Sequence, residues 1–171
     1  MPNWVTNDIN IEGKIEDIEK FFEEVTAETG DTLEGYFSFQ NLIPSSYGDD
    51  WREANINNWG VKWDASEDFW EIDQAAGTAI LRFQTPWDIP LPIFNAMTEQ
   101  YPKLSFWFEG VEEQGWGKKY SGENGILAIE EEWTIPGSHA EWIRREGECR
   151  ECLWSDSEDR YADCPKDEDG E

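Results

Sequence analysis

Residues 5–29, VTNDINIEGKIEDIEKFFEEVTAET, change their hydrophobic period at Gly13. Before it, Val5, Asn7, Ile9 and Ile11 alternate with Thr6, Asp8, Asn10 and Glu12. A period of two predicts a half-buried strand closed by the glycine. After it, Ile15, Ile18, Phe21, Phe22 and Val25 recur at helical spacing, and Glu16, Asp17, Glu19, Glu23, Glu24 and Glu28 occupy the other face. The spacing predicts an amphipathic helix over 14–29, stopped by Gly30. The chain thus opens as strand and helix.

Downstream, Phe37, Phe39 and Leu42-Ile43 mark a second strand ending at Pro44, and residues 45–60 read as a loop with room for one helical turn. Strands are expected around 61–64, 68–74 and 78–84, the last two joined across Ala75-Ala76-Gly77. Pro90-Leu91-Pro92 opens a second helix through Gln100, ended by Tyr101-Pro102. Leu104, Phe106 and Phe108 define another strand, and Gly125 to Trp133 the last. This order predicts an α+β fold: a ferredoxin-like antiparallel sheet with two helices on one face and an inserted hairpin. Pro136-Gly137 separates that body, residues 1–135, from an acidic C-terminal extension, residues 136–171.

Charge bounds the function more than any catalytic motif. The 171 residues carry 39 acids against 13 bases, a net charge of −26. The first 135 residues hold 27 acids and eight bases, so the excess belongs to the folded body. Nucleic-acid binding needs Lys and Arg to replace phosphate counterions, and a body this negative repels polynucleotides and anionic membranes. The partners it attracts are cationic, above all a basic groove on another protein. Candidate contacts are the acidic face of the first helix (Glu16, Asp17, Glu19, Glu23, Glu24), Asp49-Asp50, Glu112-Glu113 and Glu130-Glu131-Glu132. Each cluster also has the plainer reading of a solvated face that keeps the chain dissolved and monomeric.

The only histidine and the three cysteines gather near the C-terminal end: His139, Cys149, Cys152 and Cys164. Thiolate and imidazole are ligands zinc prefers, and a structural zinc site takes four in a tetrahedron. The Cys149-Arg-Glu-Cys152 spacing lets one tight turn present two sulfurs to one ion. A structural Zn2+ held by these four residues is the expectation. A redox Cys-x-x-Cys or a disulfide with one spare thiol are the alternatives, and no thioredoxin-like unit precedes Cys149. The odd cysteine count and an N-terminus without the basic and apolar regions of a signal peptide predict a reducing cytoplasm.

Catalysis finds little support, and the chain is not expected to be an enzyme. The lone imidazole is assigned to zinc, which removes the usual general base. Carboxylates are too abundant for spacing to select a glycosidase pair. His139-Ala-Glu141 supplies the His-x-Glu of zinc deaminases, but Cys149 follows without the intervening helix and strand. Asn58-Trp59-Gly60 with Lys62-Trp63 reads either as large core pieces or as a stacking platform for a sugar or base.

The opening Pro2-Asn3-Trp4, Phe37-Ser38-Phe39 with Leu42-Ile43-Pro44, Asn58 to Trp63, Phe83 to Trp87 and Tyr101-Pro102 occur together in order. So do Glu109 and Gly115. In these motifs residues 1–133 resemble the Api92-like family of phage and mobile-element proteins, which carries a YubB-type ferredoxin-like domain. The resemblance implies that fold and a mobile-element origin, and supplies no catalytic residues. More loosely, the chain is similar to zinc-containing anti-CRISPR proteins. The expectation that follows is an inhibitor of a basic, nucleic-acid-handling host protein, in its sharpest form a Cas9-type effector. The rival is a tryptophan-based carbohydrate or small-ligand binder.

Overall fold

A computed structural model describes residues 2–27, 35–147, 154–155 and 160–161. The chain divides into two compact units, Met1–Glu132 and Trp133–Glu171.

In the first unit, β1 (Trp4–Glu12) leads into α1 (Ile15–Val25), followed by β2 (Thr26–Ala27), β3 (Tyr36–Phe37) and a 3-10 turn at Phe39–Asn41. Then come α2 (Trp51–Trp59), β4 (Ser66–Asp73), β5 (Thr78–Pro86), α3 (Leu91–Gln100), β6 (Ser105–Glu112), β7 (Gly117–Glu123) and β8 (Ile126–Trp133). The six long strands form one sheet in the order β4-β5-β1-β6-β7-β8. β1 is antiparallel to both β5 and β6, and β4 and β7 are antiparallel to the strands inside them. The four strands β4-β5-β1-β6 with α1 and α3 are two interleaved split β-α-β units, the ferredoxin-like arrangement. Beyond that arrangement, β7 and β8 extend the same sheet past β6.

The strand alternation read from the sequence decides which face is covered. Val5, Asn7, Ile9 and Ile11 are all buried, and Ile9 lies opposite Leu81 on one side and Phe108 on the other. Residues directly opposite across antiparallel strands share a face, so these side chains form one apolar layer. Phe21 of α1 packs edge-on against Phe106, and Phe94 of α3 stacks on Phe108 at 4.3 Å between ring centroids. Phe106 and Phe108 lie on the same side of β6, so both helices cover one face and leave the other open. Gly110 admits a close approach on the covered side, where a Cβ would lie 2.6 Å from Ile89 Cγ1.

Several elements differ from the periodicity. The first helix ends at Val25, short of the expected 29, because Thr26 turns to extended backbone and pairs with Phe37. The second strand, expected from Phe37 to Pro44, is two residues long. Asp68 Oδ2 accepts the Phe37 N–H at 2.8 Å and Asp64 Oδ1 accepts that of Phe39 at 2.7 Å, after which Ser38 caps the 3-10 turn. Residues 61–64, expected as a strand, form a bend leading into β4. Residues 45–60 hold a nine-residue helix where one turn was expected, closed by Gly60 at φ 79°. β7 went unpredicted, since Tyr120 is its one large apolar residue.

In the second unit, α4 (His139–Glu146) starts at Ser138, whose hydroxyl accepts the Glu141 N–H at 3.3 Å, and stops at Gly147 in the left-handed region. β9 (Trp154–Ser155) and β10 (Arg160–Tyr161) pair antiparallel. Arg145 places its guanidinium 4.7 Å from the Trp133 ring centroid.

Candidate functional site

The open face of the sheet collects the groups that the covered face excludes. Register places Phe69, Arg82, Asp8, Glu109 and Lys119 in one row across β4, β5, β1, β6 and β7. The adjacent row is Glu71, Ile80, Asn10, Trp107 and Ser121, and the next holds Asp73, Thr78, Glu12 and Ser105. Phe69 is 53 % exposed, Ile80 43 % and Trp107 37 %. Phe69, Ile80, Arg82, Asp8, Asn10 and Glu109 line a depression of about 330 Å³ on this face.

Both bases of these rows are engaged. Arg82 Nε donates to Asp8 Oδ1, and that pairing holds the guanidinium pKa up. Lys119 Nζ lies 3.4 Å from Glu109 Oε1. Glu12, Glu71 and Asp73 are exposed acids on the same face. Aromatic side chains on an open sheet are a known way to stack bases of single-stranded RNA. Here the accompanying charge is negative and the cations are paired with carboxylates, so the face suits an apolar group carried with positive charge.

The acidic residues picked out from sequence do not form one surface. Glu16, Asp17, Glu19, Glu23 and Glu24 lie on α1, on the opposite side of the sheet from the open face. Glu19 accepts from Gln74 Nε2 at 3.0 Å, Glu24 from the Tyr101 hydroxyl at 2.9 Å, and Asp17 lies 3.6 Å from Lys103 Nζ. Burial, followed by the Glu24 carboxylate, pushes the Tyr101 phenol up. Asp49 and Asp50 are exposed ahead of α2, and Asp50 accepts from Ser46 Oγ at 2.7 Å. Glu130 and Glu132 are exposed on β8, where they meet Ser121 Oγ and Lys118 Nζ, and Glu131 is half-buried between them. Glu113 is exposed.

Glu112 corrects the sequence reading. It is 2 % exposed, so it cannot contact a partner. One carboxylate oxygen accepts the Gln114 N–H at 2.7 Å, and Oε1 has no partner among the described residues. On the same face of the sheet, Asn7 donates to Thr85 Oγ1 at 2.9 Å, and its Oδ1 is likewise without a partner among the described residues. What sequence reasoning missed were Asp8, Glu12, Glu71, Asp73 and Glu109, which gather only through strand register.

The tryptophan motif divides between its two readings. Trp59 is a core piece whose indole N–H donates to Ile43 O at 2.7 Å. Trp63 stays on the surface, 5.5 Å from Trp87 and 6.4 Å from Trp4 between ring centroids. Lys62 Nζ lies 4.3 Å from the Trp63 ring centroid and 5.6 Å from that of Trp87. The turn at Thr85-Pro86-Trp87 places Trp87 at φ 67°, with its N–H donating to Asn3 O at 2.8 Å.

Of the four expected zinc ligands, His139 begins α4, and Cys149, Cys152 and Cys164 lie outside the described residues. Among the described residues, no group of three or more His, Cys, Asp or Glu is placed to hold a metal. No helix among them is long and apolar enough to cross a membrane.

A family model described as a ferredoxin-like domain in Api92-like protein matches residues 58–144. The crystal structure of a protein api92 from Yersinia pseudotuberculosis is similar at a TM-score of 0.61 and 9 % identity, covering 80 % of this chain and 99 % of that one. At that identity the likeness concerns the fold. No curated protein matches the sequence.

Proposed function

We propose, for a chain that belongs to the family of Api92-like proteins, that it is a mobile-element-encoded inhibitor acting by binding rather than by catalysis. Its target is a basic, nucleic-acid-handling host protein, and a Cas9-type effector is the specific form. Such effectors hold guide and target in positively charged channels. A protein of net charge −26 is steered towards a channel of that sign and competes there with the phosphate backbone.

The observation that carries this reading is the open sheet face. Exposed Phe69, Ile80 and Trp107 stand among Asp8, Glu12, Glu71, Asp73 and Glu109, and the two bases present are already paired. Apolar side chains supply contact area, and the surrounding acids select a cationic partner and set the rate of encounter. In the C-terminal unit, His139, Cys149, Cys152 and Cys164 offer three thiolates and one imidazole, a donor set that suits a structural Zn2+. That metal would add folding free energy to a short segment.

Competition binding tests the proposal. A purified guide-loaded Cas9-type effector is mixed with labelled target DNA and increasing amounts of the intact protein. Displacement of the DNA is expected, with weaker displacement by the Phe69→Ala and Trp107→Ala variants. Full retention of the DNA at saturating protein would refute the reading.

A further inference from the structure

A second concavity, of about 360 Å³, lies in the first unit between the 3-10 turn, the loop that follows it, α2 and the bend before β4. That volume falls within the roughly 300–1,000 Å³ of small-ligand sites. Its rim is aromatic: Tyr36, Tyr47, Trp51 and Trp63, of which Tyr47 is 85 % exposed. Several large ring side chains left open around one hollow are unusual for a stable monomer surface and mark a place where something docks.

The floor is polar and already organised. Asp64 Oδ1 accepts the N–H groups of Phe39 and Ala65 at 2.7 and 2.8 Å, and Oδ2 accepts the Ser38 hydroxyl at 2.7 Å. Asn55 accepts from Ser45 Oγ at 2.7 Å and donates to Lys62 O at 2.9 Å. Gln40 exchanges two bonds with the backbone of Ser45. The phenol groups of Tyr36 and Tyr47 and the indole N–H groups of Trp51 and Trp63 have no hydrogen-bond partner among the described residues. Donors without partners around a hollow with a fixed floor are the ingredients of orientation-specific binding.

Charge narrows the ligand class. No Lys, Arg or His lines the hollow, and the whole chain is strongly negative, so an anion is disfavoured. A cation fares little better. Lys62 Nζ already sits over Trp63 and 6.0 Å from the Trp51 ring centroid, and the Arg52 guanidinium is 5.9 Å from the same ring. Asp64 is not an idle counterion either, since its oxygens are engaged and burial pushes its carboxyl above the ordinary range. What remains is a neutral molecule with an apolar face and many hydroxyls. A nucleobase also stacks on indole, but in the cell it comes attached to phosphates that this surface repels.

We infer that this hollow binds a short neutral oligosaccharide, packed against its rim of Tyr36, Tyr47, Trp51 and Trp63 with its hydroxyls met by the phenols of Tyr36 and Tyr47. The site is separate from the open sheet face and does not depend on the inhibitor reading.

Titration of the full chain with maltotriose, cellotriose and chitotriose, followed by tryptophan fluorescence and saturation-transfer NMR, tests it. Adenosine and uridine run in parallel. At least one trisaccharide should bind saturably, with an affinity that does not change with salt. Trp63→Ala should weaken it about tenfold, the scale of a lost stacking platform. Tyr47→Ala, a change at an exposed position that leaves the core intact, should weaken it too, and Phe69→Ala on the open sheet face should not. Absence of saturable binding by all three sugars would overturn the inference. So would affinity unchanged in both Tyr47→Ala and Trp63→Ala, or binding of the nucleosides alone.

Discussion

The two faces of the sheet are made from the same strands by alternate residues, yet they solve opposite problems. On the covered face, Ile9, Leu81, Phe106 and Phe108 lose their water under α1 and α3. Across the strand from them, Asp8, Arg82, Glu109 and Lys119 keep theirs. One residue of slip in any strand would exchange the two sets, which is why a pattern of period two specifies register so strongly. The comparison shows where this protein can afford its charge: a very acidic chain folds because acids occupy positions whose burial the fold does not require. Glu112 is the exception, a carboxylate placed inside, and Asp64 is half-buried.

The largest expected contrast is between aromatic residues on the two faces. Phe106→Ala should lower stability by about 3–5 kcal/mol through lost transfer and a cavity between α1 and the sheet. Phe69→Ala should stay within about 0.5 kcal/mol of the parent while weakening partner binding. Urea unfolding of both variants checks this, and similar losses would erase the distinction between the faces.

Asp64 comes next. Asp64→Ala strands the N–H groups of Phe39 and Ala65 and the Ser38 hydroxyl, at a cost of about 2 kcal/mol. Its carboxyl is raised above the ordinary 3.8 because burial outweighs those hydrogen bonds. The folded state therefore binds this proton more tightly than the unfolded chain. That contribution is full below the ordinary value and is lost as pH rises through the folded one. Relative to Asp64→Asn, the parent should lose stability over that window, and parallel stability curves for the two would contradict the sign.

Glu112→Gln should raise stability by about 1 kcal/mol, since a neutral amide replaces a buried carboxylate with a partnerless oxygen. Glu109→Gln, half-buried on the open face, is the control and should change little. The smallest effect belongs to Asp8→Asn, which breaks an exposed pair with Arg82 worth about 0.5 kcal/mol. Thermal melts resolve both, and destabilisation by Glu112→Gln would show that its carboxylate is better satisfied than the geometry indicates.

How much was legible in the sequence follows from how local each signal is. β1, α1 and α3 could be read because their own residues carry the period and the punctuation, Gly13 and Pro90-Leu91-Pro92 among them. The false strand at 37–44 shows the limit. Phe37 and Phe39 alternate as a strand would, but their N–H groups are taken by Asp68 and Asp64, 31 and 25 residues away. α2 hides because its buried residues, Asn55 and Trp59, do not make an apolar stripe. The acidic rows of the open face needed the pairing of β4, β5, β1 and β6, which no local pattern encodes. Acids adjacent in sequence, such as Glu112 and Glu113, read as one contact, although Glu112 at the end of β6 is buried and Glu113 just beyond it is exposed.

The central claim is that the open face, apolar in its middle and acidic around it, docks on a cationic cleft. It is met most directly by measuring the affinity of the intact protein for a guide-loaded Cas9-type effector from low to physiological ionic strength. The account predicts a steep loss across that range, because exposed charges are screened beyond roughly a Debye length, about 8 Å at physiological salt. It predicts a further loss when Phe69 and Trp107 are both replaced by alanine. Affinity that ignores salt and survives the double substitution would contradict it.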